Sequence, residues 1–282
     1  MDFLERSPDV RERLAFETGL AARHRHDDSF VLEGYCLACD STTGFLVDQQ
    51  FGAQRSADGW VPNWRERLVC EACHLINRQR AIAWAAREAL GQRGPSDSLV
   101  LYAMEQVTPL FQWLRANLSG VSCIGSEYLG DELRGGMVVD GVLPGLRHED
   151  VEALSLADAS VDVIVSNDVF EHVNEPRRGL REMFRVLKPG GEMLLTVPFW
   201  HERERSVRRA ERVGGELRHL LPPAYHGNPL SEEGSLVFHD FGWDFLEDLR
   251  RAGFEDVSLC WYWSYLYGHL GCPLHFFQGR RP

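Results

Sequence analysis

Two cysteine pairs, Cys36-Leu37-Ala38-Cys39 and Cys70-Glu71-Ala72-Cys73, are separated by 30 residues. Two residues between cysteines let both sulfurs of a tight turn point at one ion, and a second such turn completes a tetrahedron around Zn²⁺. His74 is an alternative to Cys73, but four thiolates from Cys36, Cys39, Cys70 and Cys73 is the simpler set. Buried free thiols would not explain the repeated spacing. A closed four-ligand site has no position for water, so the expected ion is structural. It would replace a hydrophobic core that about 50 residues cannot build alone.

The second group able to do chemistry is a set of acids placed where strands end. Leu99-Val100-Leu101-Tyr102 reads as a buried strand, followed by Glu105 and by Thr108-Pro109, which suits a helix start. Val121-Ser122-Cys123-Ile124-Gly125-Ser126 ends on Glu127, and Val161-Asp162-Val163-Ile164-Val165-Ser166 ends on Asn167. Asn174 is placed to cap a helix with Pro176 in its first turn and Leu180, Met183, Phe184 and Leu187 inside. Met193 to Val197 forms the next strand. Strands alternating with helices imply a parallel sheet with right-handed crossovers, and such sheets bind ligands at the carboxyl ends of their strands.

Asp162 to Val173 (DVIVSNDVFEHV) and Leu180 to Gly191 (LREMFRVLKPGG) together resemble the class I S-adenosylmethionine (SAM)-dependent methyltransferase family of the type 11 kind. His148-Glu149-Asp150-Val151-Glu152-Ala153-Leu154 resembles the segment before its fourth strand, and the four-cysteine module resembles a subgroup with an N-terminal zinc-ribbon-like domain. The resemblance implies a doubly wound, mostly parallel, seven-stranded Rossmann-like α/β sheet. It places Glu127 on the ribose hydroxyls of SAM, Asp150 and the Val151 amide on adenine, and Asn167 near the methionine portion or the transferred methyl. The alternative is that these acids only cap strand ends. The family's glycine-rich first loop is missing: residues 102–108 read YAMEQVT. Either Glu105 faces the ammonium or sulfonium of SAM, or the pocket is remodelled.

Methyl transfer needs alignment more than acid–base chemistry, because the sulfonium is already activated. A base matters for a hydroxyl or carbon acid. His226, with Tyr225 and His201, is the candidate, in an insertion over 201–240 that could form a substrate lid. The mixed charge run from His201 to Arg212 reads as a solvated helix or flexible lid.

The expected organisation is an N-terminal helical segment (1–28), a zinc-ribbon module with linking helix over 77–90 (29–95, closing on a linker at 91–96), and the methyltransferase domain (96–282). The chain has 282 residues and net charge −12, with −2 on residues 1–95 and −10 on the rest, which disfavours a polyanionic partner. No run nears the roughly 20 apolar residues that span a bilayer, and no secretory pattern opens the sequence, so a cytoplasmic, membrane-free protein is expected. The acceptor expected is a small molecule such as a sugar or secondary metabolite. The rivals are an RNA methyltransferase that uses Arg65, Arg67, Arg78, Arg80, Arg87 and Arg93 around the ribbon, and a non-catalytic binding protein.

Overall fold

The computed structural model describes residues 8–57, 59–93, 98–140 and 143–282. They fall into two compact units, one built from Met1–Arg87 and Cys260–His275, the other from Glu88–Leu259 and Phe276–Pro282. Among the described residues no helix is long and apolar enough to cross a membrane.

The first unit opens with α1 (Pro8–His24) and a meander of β1 (Ser29–Cys36), β2 (Ser41–Asp48), the hairpin β3 (Gln54–Ser56) and β4 (Gly59–Val61), and β5 (Val69–Cys70). β1, β2 and β5 form one antiparallel sheet. Alternate residues of β1 (Phe30, Leu32, Cys36) are buried, the period expected of a strand with one face covered. α2 (Asn77–Gln92) buries Ile82, Ala85, Ala86 and Ala89, as its spacing predicts. It runs through Gly91 and Gln92, so the expected linker starts later; residues 94–96 of that linker lie outside the described residues.

The second unit begins with β6 (Leu99–Ala103), α3 (Pro109–Asn117) and β7 (Val121–Gly125). Thr108 caps α3 as expected, accepting from the Phe111 amide at 3.2 Å. The short pair β8 (Val138–Val139) and β9 (Leu146–Arg147) follows, then β10 (Val161–Asn167), a 3₁₀ turn at Phe170–His172, α4 (Pro176–Val186) and β11 (Leu187–Thr196). Asn174 does not cap α4. Its side chain instead accepts from the Arg212 amide at 2.7 Å and from Arg208 at 3.0 Å, so an insertion takes the group that the helix start would use.

That insertion is neither helix nor irregular lid. It is a series of short strands: β12 (Val207–Arg208), β13 (Ala210–Val213), β14 (Glu216–His219), β15 (Tyr225–Asn228), β16 (Ser231–Leu236) and β17 (His239–Asp240). They pair as three antiparallel ribbons. α5 (Asp244–Arg251) and the long strands β18 (Glu255–Ser264) and β19 (His269–Arg280) close the chain.

The main sheet has six strands in the order β18-β19-β11-β10-β6-β7, parallel from β11 to β7, with β19 antiparallel to β11. The expected seventh strand is reduced to one parallel bridge, Glu127 to His148, outside β7. Between Glu127 and Ser160 no described residue is helical, so nothing pulls a full strand into register there. The sheet's apolar face packs Ile164, Met193, Leu195 and Phe277 against α4 and α5 side chains, including Leu180, Met183, Phe245 and Leu249.

At the opposite end of β10, Asp162 is buried and fully bonded. Its Oδ2 accepts from the Val100 amide at 2.8 Å and Lys188 Nζ at 2.6 Å, and its Oδ1 from Arg93 at 2.9 Å. Lys188 is the chain's only lysine. Burial pushes this carboxyl up, but Lys188, the Val100 amide and Arg93 outweigh it and hold Asp162 below the ordinary range. A depressed folded value means that stability is present above the unfolded value near 3.8 and lost as pH falls through the folded one. We expect Asp162→Asn to cost about 3 kcal/mol at neutral pH, because it strands two cations. Urea unfolding at pH 7 and pH 3 should show the variant's deficit shrinking in acid; equal deficits at both would refute the assignment.

Candidate active site and metal centre

The four cysteines converge. Cys39 Sγ lies 3.5 Å from Cys36 and 3.6 Å from Cys70, and Cys36 lies 4.0 Å from Cys73. Four sulfurs about 2.3 Å from one zinc stand about 3.8 Å apart, so these separations fit a tetrahedral ion. Burial pushes Cys39 up to about 12, the Cys36 and Cys70 contacts push Cys73 up, and the contacts with Cys36 and Cys73 pull Cys70 down. Arg80, fully buried, stands beside them with its guanidinium over Phe45 at 4.2 Å, donating to the carbonyls of Tyr267 at 2.6 Å and Gly268 at 2.5 Å. A fixed cation there offsets part of the charge that four thiolates carry.

The arginines proposed as an RNA surface are engaged within the protein. Arg65 and Arg78 pair with Glu66, Arg67 with Asp48, and Arg93 with Asp162, while Arg87 donates to the Leu37 carbonyl at 2.8 Å. With Arg80, all six have internal partners.

In the second unit the strand ends meet. Glu127 is largely buried after β7, and its Oε1 accepts from the Gln106 and Val107 amides at 2.7 and 2.9 Å. Burial raises its pKa, and those two amides hold the rise back. The loop after β6 thus has its amides gathered by a carboxylate, although it has no glycine of its own. The close approach is made at Gly125 instead. A Cβ there would meet the Phe111 ring at 2.5 Å and the Glu105 carbonyl oxygen at 2.8 Å.

Asp150 and Val151 come to the same edge. The Glu127 amide donates to the Arg147 carbonyl at 2.9 Å, and the Glu149 amide donates to the Glu127 carbonyl at 3.1 Å, which sets Asp150 one residue beyond the paired backbone. Asp150 Oδ1 accepts from the Glu152 amide at 2.9 Å. Glu149, not singled out by sequence, is the anchor of this segment. It is buried, pairs with Arg147 at 2.7 Å and holds both the amide and hydroxyl of Ser155.

Glu105 does not stand open at the loop surface. It is buried, and its two oxygens accept from Asn167 Nδ2 at 2.6 Å and from the Thr108 hydroxyl. In a loop without glycine, this side chain ties the end of β6 to the end of β10. Asn167 is oriented by that bond and by the Thr196 hydroxyl at 3.4 Å.

Of the histidines, His226 is brought to the carboxyl end of β10. Its Nδ1 lies 3.4 Å from Glu171 Oε1, and His172 Nε2 lies 3.7 Å from the same oxygen. Tyr225, next in the ribbon, is exposed. His201 pairs with Glu202 at 3.8 Å, and its carbonyl accepts from Trp243. Glu171 was missed in the sequence. Its signal is a carboxylate inside the apolar run Val169 to Val173, directly after a strand end.

Residues 126–195 match the model of a family described as "Methyltransferase domain". This stretch is similar to a methyltransferase domain. The chain is 38% identical over 112 residues to the arsenite methyltransferase of Aquipseudomonas alcaligenes, covering 39% of this chain and 27% of the relative. It is 40% identical over 128 residues to an uncharacterized methyltransferase of Mycobacterium bovis, covering 43% and 49%. The chain therefore spans half or less of these relatives' lengths. Among solved structures it is similar to an S-adenosylmethionine-dependent methyltransferase of Mesorhizobium loti, at 17% identity, TM-score 0.39, and 70% and 97% coverage.

Proposed function

We propose that the second unit binds SAM at the carboxyl ends of β6, β7 and β10 and transfers its methyl group to a small-molecule acceptor, while the four cysteines hold a structural zinc ion in the first unit. The observation that carries the reading is Glu127. It is a half-buried carboxylate that gathers the first-loop amides and whose backbone is paired to the segment leading into Asp150. A methyltransferase-domain match over 126–195 supports it from sequence.

Glu127 would hold the ribose hydroxyls, Asp150 and the Val151 amide the adenine, and Asn167 the methionine half. Bound SAM supplies an activated methyl: the S–CH₃ bond breaks, its electron pair stays on sulfur as S-adenosylhomocysteine, and the acceptor gains CH₃ and loses a proton. The chain's own part is to align the acceptor and exclude water. The acceptor would meet the chain at His226, whose Nδ1 lies 3.4 Å from the buried Glu171, with Tyr225 at the rim; the carboxylate beside His201 is the half-exposed Glu202. A small acceptor is supported by the net negative charge of this unit, by the internal use of the six arginines, and by the name of the arsenite methyltransferase relative.

Calorimetric titration with S-adenosylhomocysteine tests the cofactor part. Saturable heat with one site per chain is expected. No heat at high micromolar ligand would overturn the reading and leave the fold as a binding scaffold.

A further inference from the structure

Glu171 poses a problem that methyl transfer does not solve. Its side chain is fully buried, yet neither Oε1 nor Oε2 has a hydrogen-bond partner. Leaving a carboxylate unpaired out of water costs several kcal/mol, so such a group takes a proton or faces a cation. The groups facing it are two imidazoles. The His172 nitrogen, the His226 nitrogen and a Glu171 oxygen all lie within 4.8 Å of one another.

The imidazoles are arranged as ligands rather than as counter-ions. His172 Nδ1 is hydrogen-bonded to the Leu236 carbonyl at 2.7 Å. A carbonyl only accepts, so Nδ1 carries the proton and Nε2 presents its lone pair toward Glu171, the tautomer lock usual behind metal-bound histidines. The rings of His172 and His226 meet edge to face at 5.1 Å, where two imidazolium charges would repel. Asp168 lies close enough to act electrostatically on both Glu171 and His172, adding negative charge. It has φ +52°, and its carboxylate is oriented by the Thr196 hydroxyl at 3.0 Å.

We propose that Glu171, His172 and His226 bind one divalent first-row cation, with its remaining positions open on the His226 side to an oxygen ligand. Two histidines and one carboxylate on a single face is a recurrent donor set for such ions. Ligands at about 2.1 Å from a common ion stand about 3.0–3.4 Å apart, so the observed 3.4 and 3.7 Å close by a few tenths of an ångström on binding. The side chain of His226 is 41% exposed, which leaves the approach from that side. The catalytic consequence alone rests on the methyltransferase reading: the cation would hold the acceptor's oxygen and lower its pKa, the proton leaving to water as CH₃ arrives.

Zinc-loaded full-length protein, with its thiols occupied, is titrated with Mn²⁺ while the electron paramagnetic resonance of free Mn²⁺ is followed. One equivalent should disappear per chain. Glu171→Gln and His226→Ala should each weaken binding by at least about tenfold. The partly exposed His226 makes the second variant decisive if the first does not fold. An undiminished free-ion signal at millimolar Mn²⁺ overturns the proposal, as does wild-type affinity in His226→Ala. S-adenosylhomocysteine titration of the same samples without Mn²⁺ separates a failed metal site from a failed cofactor site.

Discussion

Replacing Cys36 and Cys70 together by serine is expected to empty the metal site and unfold the first unit. Both sulfurs are fully buried, one at the end of β1 and the other in β5, so an ion held there would join the first and last strands of a three-stranded sheet. Zinc sites of this kind contribute about 10–16 kcal/mol in isolated peptides, more than a small unit's whole stability. The remaining core is modest, drawn from Phe30, Phe45, Trp60, Trp64 and the inner face of α2. Without the ion, Arg80 also becomes a buried cation facing neutral thiols. Plasma mass spectrometry should fall from one zinc per chain to near zero, and the near-ultraviolet dichroism of the buried tryptophans should collapse. Full zinc content and an unchanged melting curve in the double variant would remove the ion from the account.

The second large effect is expected at Glu127. Glu127→Ala should weaken S-adenosylhomocysteine binding by at least about 100-fold, since charge-assisted hydrogen bonds contribute about 1.5–3 kcal/mol each and two hold the loop before any reach a ligand. Glu127→Gln keeps a carbonyl oxygen for the Gln106 and Val107 amides and should fall between alanine and wild type. That intermediate value separates loop support from direct contact with a ligand. Calorimetry reads both variants, and wild-type affinity in the alanine form would disqualify the crevice.

The parts legible in the sequence were those with a local physical signature. The cysteine spacing points to a metal ion, and the four sulfurs lie together as that reading expects. The strands at 99–103, 121–125 and 161–167 are short apolar runs with polar ends, and Thr108-Pro109 is a helix start with its own mechanism. What escaped depends on distant partners. Asn174 looked like a cap because capping is local, yet a ribbon 38 residues away claims its side chain. The 201–212 charge run carries no alternation strong enough to announce strands, which form because the segment pairs with residues that follow it. The bond from Asn167 to Glu105, 62 residues away in the chain, has no local signature, and the sequence offered only a ligand cation as the partner of that acid. Glu171 was hidden because a lone acid in an apolar run signals burial without saying what it faces.

Cys260–His275, the tip of the β18–β19 pair, belongs to the first unit. Trp263 donates to the buried Glu17 at 2.6 Å, the Gly271 amide does so at 2.7 Å, and Asn77 donates to the Leu270 carbonyl at 2.6 Å. The first unit is thus sewn from two stretches far apart in the chain and is no detachable cassette. Scission near residue 95 would leave the leading fragment lacking its last piece and the trailing one carrying a stranded hairpin tip. Inheritance of the two units is therefore joint: neither could be shuffled, lost or borrowed by simple fusion at one end.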